Sequence, residues 1–242
     1  MASQIPLRIR RIEDKEKKGS HGAWRRDFCR KYVELLRRGR EKSLRTLVEA
    51  LSAQGKAISC RSGCTFCCYH YVTVSLAQGI VIVDYLYRHR DLLKQFLDNY
   101  AAWYDQAASL AEDIDRTRLR ALSSSVPTEQ ILLETRPLSA RYFESSIRCP
   151  FLAQDRCSIY EVRPSSCASH HAASPPEWCA PDSPHRPDIQ RSITEDDDLV
   201  RIVGLADTRL SLYELSLPTM IYRLLTEGSA AIMAEISHHD FR

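Results

Sequence analysis

Cys60-Arg-Ser-Gly-Cys64-Thr-Phe-Cys67-Cys68 places four thiols within nine residues, and Cys149, Cys157, Cys167 and Cys179 supply four more after an interval of about eighty residues. Thiolates this close together repel one another and oxidise readily. In a chain that keeps them reduced, such a cluster points to a metal ion or an iron-sulfur cluster. The fold is therefore expected to bring two distant segments to one place, with loops that carry ligands and helices that hold the loops.

The rest of the chain reads as the helical support. From Ala23, apolar residues recur at helical spacing through Phe28, Tyr32, Leu35, Leu36, Leu44, Leu47, Val48 and Leu51, predicting one long or two shorter helices, with Gly39 as a break and Gly55 as the stop. Tyr71-Val-Thr-Val74 is short and β-branched, hence extended, and Ser75-Leu-Ala-Gln78 is a capping-box pattern that starts a helix running to about His89. Helical periodicity continues from Asp91 to Leu122. A turn at Ser123-Ser-Ser-Val-Pro127 precedes a helix expected to end before Pro137. Pro175, Pro176, Pro181, Pro184 and Pro187 argue against regular structure around the last cysteine. Helices are expected again over Leu199–Leu215 and Thr219–Ile236, with Pro218 in the first turn of the second. Asp196-Asp197-Asp198 suits an acidic helix N-terminus. The fold class is mainly α: residues 1–22 form a flexible basic arm, and residues 23–242 form a single helical metal-binding domain with irregular cysteine-rich loops at 60–68 and 149–179.

Composition narrows the function. With 242 residues, 44% of them hydrophobic, the chain can bury one sizeable core. No run of eighteen apolar residues is present and Met1 to Lys18 is charged, so the sequence predicts a cytoplasmic protein with no membrane segment. The net charge of +3 conceals a division: residues 1–61 hold 17 Lys+Arg against 7 Asp+Glu, and the remainder 17 against 24. The basic run Arg25, Arg26, Arg30, Lys31, Arg37, Arg38, Arg40 could meet nucleic acid, an acidic protein or an anionic substrate, but reads first as a solvated helix face that docks on the acidic remainder. No recognised nucleic-acid motif accompanies it, so nucleic acid is not the expected partner. The partners that fit are a protein or small-molecule substrate, and the oligomeric state is not written in the sequence. Neither a nucleophile-base-acid constellation, a phosphate-binding glycine loop nor a paired-carboxylate signature is found.

The ligand arithmetic leaves alternatives. Eight cysteines in two groups of four allow two zinc sites, a cluster plus another site, or one polynuclear centre drawing on both groups. Adjacent side chains diverge, so Cys67 and Cys68 are poorly placed to grip one ion together. The run Cys60, Cys64, Cys67 and the Cys149-Pro150 pair favour an iron-sulfur cluster, of 4Fe-4S type, with zinc as the alternative. Arg61, Arg148, Arg156 and Arg163 stand beside ligand cysteines, where positive charge favours thiolate. His70, His170 and His171 are competing ligands, and Cys29, on the apolar face with Phe28 and Tyr32, is a packed thiol.

Two segments resemble a known family. Cys60 to Cys68 followed by Val72-Thr-Val-Ser75, then Arg148-Cys-Pro-Phe-Leu152, Cys157-Ser-Ile-Tyr-Glu161, Arg163-Pro164 and Cys167, are similar in order and spacing to the YkgJ-type cysteine-cluster family of zinc- or iron-chelating domains. Ala168 stands where that family usually has Arg. The resemblance implies metal chelation over residues 60–170. Through flagellin lysine N-methylase, a relative with a similar cysteine pattern, it extends to S-adenosylmethionine-linked methyl transfer. Within the second segment it suggests that Tyr160, Glu161 and Arg163 order the ligand loop, with a core aromatic as the other reading of Tyr160. Cys60-x3-Cys64-x-Phe66-Cys67 also satisfies the radical S-adenosylmethionine pattern, but eight glycines and a helical reading do not match that fold's repeated βα units.

Overall fold

The computed structural model describes residues 21–122, 127–192 and 213–238. Its helices are α1 (His21–Ser52), α2 (Leu76–Arg88), α3 (Arg90–Leu119), α4 (Thr128–Glu144), the single turn α5 (Ser165–Ala168), α6 (Leu217–Thr226) and α7 (Ser229–His238). Its strands are β1 (Thr73–Ser75), β2 (Leu152–Ala153), β3 (Arg156–Cys157), β4 (His170–Ala172), β5 (Ile189–Arg191) and β6 (Glu214–Ser216), paired antiparallel as β1-β6, β2-β3 and β4-β5. The chain is mainly α, as the periodicity predicts. Among the described residues no helix is long and apolar enough to cross a membrane.

Helix α1 begins at His21, inside the segment read as an arm, and passes through Gly39 without a break. It stops where expected. Gly55 lies at φ 67°, its N–H bonds the Ser52 carbonyl, and the Lys56 N–H reaches back to the Leu51 carbonyl. This is a Schellman closure, and its left-handed position explains the glycine. Ser75 caps α2 by accepting from the Gln78 N–H at 3.4 Å. The Gln78 side chain does not complete the box; it donates instead to Ser165 at 3.1 Å, tying α2 to the second cysteine segment.

The C-terminal segment repeats this device. Ser216 ends β6 and caps α6 by accepting from the Thr219 N–H at 3.3 Å, so two short strands pair and each feeds a helix. Helices α2 and α6 then meet closely at Gly79. A Cβ there would lie 2.6 Å from Leu224 Cδ1 and 2.8 Å from Met220 Cγ. The core fills around this crossing with Val74, Ile82, Leu86, Phe96, Ile114, Phe151, Ile159, Tyr213, Met220, Ile221 and Leu225, all at most 1% exposed. Burial on this scale is the main term holding the helices together.

Several expectations change. Helix α4 continues through Pro137, which lies exposed on its outer side, where the carbonyl left without a partner can meet water. The end of the helix expected over Leu199–Leu215 is instead extended. Val74 pairs with Leu215, and the Leu217 N–H bonds the Val72 carbonyl at 2.8 Å, so a distant strand overrides local pattern. Residues 1–20, 123–126 and 193–212, including Asp196-Asp197-Asp198, lie outside the described residues. The last helix is divided at Gly228, where φ is 86°. The proline-rich stretch is irregular, apart from a 3-10 turn at Pro176–Cys179 and strand β5.

Candidate metal centre

The two cysteine segments are joined through their backbones. The Cys149 N–H donates to the Cys68 carbonyl at 2.9 Å, so the end of one motif is bonded to the start of the other. Cys67 and Cys68 lie in a 3-10 turn, Phe66–Tyr69, that continues into β1. Around Cys149, helix α3 holds the chain: Asn99 donates to the Pro150 carbonyl at 2.9 Å, and Phe151 stacks on Phe96 at 4.5 Å between ring centroids. The β2-β3 hairpin then turns through Gln154 and Asp155, both at positive φ, and places Cys157 opposite Leu152. Cys167 sits in α5, the same turn that holds Gln78's partner Ser165.

The first segment is also stapled to β4. Ser59 bonds the Ala172 carbonyl through both its N–H and its hydroxyl, and the Ala172 N–H points at the Cys60 sulfur at 3.2 Å. Nothing in the local sequence marks Ser59 for this role, because its partners lie more than a hundred residues away.

The result is a cavity of about 780 Å³, with Cys60, Cys64, Cys67, Cys68, Cys149, Cys157 and Cys167 in its wall. Cys179 is buried just outside it, close enough for Cys60, Cys64 and Cys67 to disfavour its ionisation. Cys67 is the common neighbour. Its charge acts on Cys64, Cys68, Cys149, Cys157, Cys167 and Cys179. None of the nine cysteines is joined in a disulfide. Cys29 lies apart from the cavity, 1% exposed in the core.

Electrostatics divide the thiols. Cys67 is lowered to about 7, first because Cys68 donates a hydrogen bond to its sulfur and then because Arg163 stands nearby. Cys68 is correspondingly pushed far up. Burial raises Cys64, Cys157 and Cys167, and pushes Cys149 up to about 12 and Cys179 to about 11. Ionising such a set in a low-dielectric pocket requires compensating positive charge, which a thiophilic metal supplies. The donor set thus fits a metal chemically. Among the described residues no group of three His, Cys, Asp or Glu side chains is arranged as a single-ion site. The thiols surround a shared space rather than one point.

The three histidines read as competing ligands all line the cavity but differ in their engagements. His171 Nε2 is 3.1 Å from the Ser192 hydroxyl. His70 stacks on Phe143 at 4.3 Å and lies 5.3 Å from the His170 ring, whose Nε2 is buried without a partner. Burial lowers His70, and burial together with His70 lowers His170 to about 4.

Of the arginines beside ligand cysteines, Arg148 turns outward to Asp155 and only Arg163 bears on several thiols. Tyr160 is 61% exposed, which corrects its reading as a core aromatic; its ring lies under the Arg163 guanidinium at 4.1 Å. Arg40, on the helix face expected to dock on the acidic remainder, turns inward onto backbone rather than onto acidic side chains. It donates to the carbonyls of Glu161 and Arg163, while Arg30, Arg37 and Arg38 pair with acids on their own helix.

A family model described as "CxxCxxCC: Putative zinc- or iron-chelating domain" matches residues 59–190, more than half of the chain and all eight clustered cysteines. No curated protein and no solved structure matches the chain.

Proposed function

Because the chain belongs to the CxxCxxCC family of zinc- or iron-chelating domains, we propose that its metal is iron, held in one polynuclear iron-sulfur centre of 4Fe-4S type that serves redox chemistry. The observation that carries this reading is the sharing of one cavity wall by seven thiols from both motifs, around Cys67. A structural zinc ion needs four ligands converging on one point, whereas the four thiolates that hold a 4Fe-4S cluster stand apart around a larger volume, and thiols spread around a common space suit the second. Cys68, Cys149, Cys157 and Cys167 lie on one side of Cys67 and Cys60, Cys64 and Cys179 on the other; four of these eight, drawn from both motifs, would ligate the cluster and the others would surround it.

An iron-sulfur centre supplies one-electron transfer when bound. The chain's own residues set its surroundings. Phe151, Ile159, Leu217 and Pro218 make part of the wall apolar, and Leu44, Val48 and Ile58 extend the lining from α1 and the loop after it. A small-molecule substrate, S-adenosylmethionine among them, would find both apolar surface and cationic groups beside the centre.

Protein purified anaerobically from iron-replete cells tests the proposal. The expected result is brown protein with thiolate-to-iron charge-transfer absorption, and with iron and acid-labile sulfide in stoichiometric amounts. Colourless protein retaining zinc under the same conditions would overturn it.

A further inference from the structure

Arg40 and Arg163 form an unusual pair of cations. Arg40 extends from α1 into the second cysteine segment, where it donates Nη1 to the Glu161 carbonyl at 3.3 Å and Nη2 to the Arg163 carbonyl. Arg163 lies across the Tyr160 ring and lines the thiol cavity. The Nε of each guanidinium is buried with no acceptor. Among the described residues neither has a carboxylate in ion-pair reach, unlike Arg30, Arg37 and Arg38 on α1.

Two like charges side by side and partly removed from water are costly unless an anion offsets them. Burial and the neighbouring Arg163 together hold the Arg40 guanidinium down to about 10. The anions within reach are sulfurs. Arg163 lines the same cavity as Cys67, Cys157 and Cys167, and Arg40 is bonded to the Arg163 carbonyl beside it.

We propose that Arg40 and Arg163 are the counter-cations of the metal-bound thiolates, fixing the net charge of the centre and so both its hold on metal and its ease of reduction. The inference rests on the iron reading above for its redox part and on metal binding alone for the rest. Arg163 shares the cavity wall with the sulfurs. Arg40 acts partly through it, because its bonds to two carbonyls fix the loop that carries Arg163, which makes Arg40 a positioning residue as well as a charge. The Tyr160 ring stacks on one face of the Arg163 guanidinium and limits its hydration there.

The test compares full-length wild type with Arg163→Gln, Arg40→Gln and the charge-keeping Arg163→Lys and Arg40→Lys, all purified anaerobically. Far-ultraviolet circular dichroism checks the fold, and metal content is measured first. If wild type holds iron, redox titration should show the Gln variants harder to reduce by about tenfold in the reduced-to-oxidised ratio, about 59 mV for one electron, with the Lys variants largely restored. Equal midpoints across the series, with iron present, would overturn the counter-cation proposal and leave the iron reading standing. If wild type holds zinc, the iron reading fails by itself. The counter-cation proposal is then decided by chelator-driven zinc loss, which should be several-fold faster in the Gln variants; equal rates would overturn it. Should Arg40→Gln fail to fold, Arg163→Gln decides alone, since it removes no backbone contact.

Discussion

Replacing Asp115 tests how the floor of the cavity is braced. This carboxylate is 4% exposed, and its Oδ1 accepts from the Ser216 N–H at 2.6 Å and from the Tyr71 hydroxyl. Tyr71 and Ser216 both line the cavity, so one side chain on α3 ties the exit from the first motif to the start of α6. Oδ2 is buried without a partner, and burial pushes the group up to about 7 from 3.8 despite its hydrogen bonds and Arg118. A carboxyl whose folded-state pKa is raised binds more protons folded than unfolded. Its stabilising contribution is therefore present below the unfolded value and is lost as pH rises through about 7. Between pH 5 and pH 8 this loss amounts to about 2–3 kcal/mol, at about 1.4 kcal/mol per pH unit until the folded group ionises.

Asp115→Asn keeps the Oδ1 acceptor and removes the titration. Urea unfolding of anaerobic, metal-loaded protein at a series of pH values should show wild type falling relative to Asp115→Asn by that amount, with the difference levelling above about pH 7. His70 and His170 act in the opposite sense. Their pKa values are lowered by burial, so their contribution grows as pH rises toward the unfolded histidine value; being common to both proteins, it cancels in the difference. Asp115→Ala should be destabilised at every pH by about 2–5 kcal/mol, because two buried donors lose their acceptor. Parallel stability curves for wild type and Asp115→Asn would refute the reasoning.

Other substitutions probe other parts of the account. Phe151→Ala removes a 1% exposed ring stacked on Phe96 directly behind Cys149, and should cost about 3–5 kcal/mol in chemical denaturation while lowering metal content. Gly79→Val places side-chain atoms against Leu224 and Met220 at the α2-α6 crossing and should cost about 1–3 kcal/mol, read as a lower thermal midpoint. Cys29→Ser should leave the metal content at the wild-type value by elemental analysis, because that thiol lies in the core outside the cavity wall.

What the sequence made legible were the features decided locally. The Ser75 cap, the Gly55 stop and the long apolar periodicities of α1 to α3 depend on neighbours within a few residues, and each is where the pattern put it. Pro137 misled because a proline's effect on a helix depends on whether the freed carbonyl meets water, which the sequence does not state. The strand at Glu214–Ser216 could not be recognised from its own residues, since its partner Thr73–Ser75 lies some 140 positions earlier. The eight clustered cysteines were plain, and so was their division into two segments. The carbonyl contacts of Arg40 and the two hydrogen bonds that Ser59 donates to the Ala172 carbonyl were not, because each joins the site from more than a hundred residues away. Arg40 carries the same residue type as its solvated neighbours on α1, and only tertiary packing separates it from them.

The claim on which the account depends most is that both motifs build one centre. Cys64→Ser and Cys157→Ser alter one motif each, and the metal content of the folded, anaerobically prepared fraction can be measured for both. One shared centre predicts that either substitution abolishes most of the bound metal and the whole charge-transfer band. If each variant instead retains about half of the wild-type metal, and the double variant none, the motifs hold separate sites and the claim is wrong.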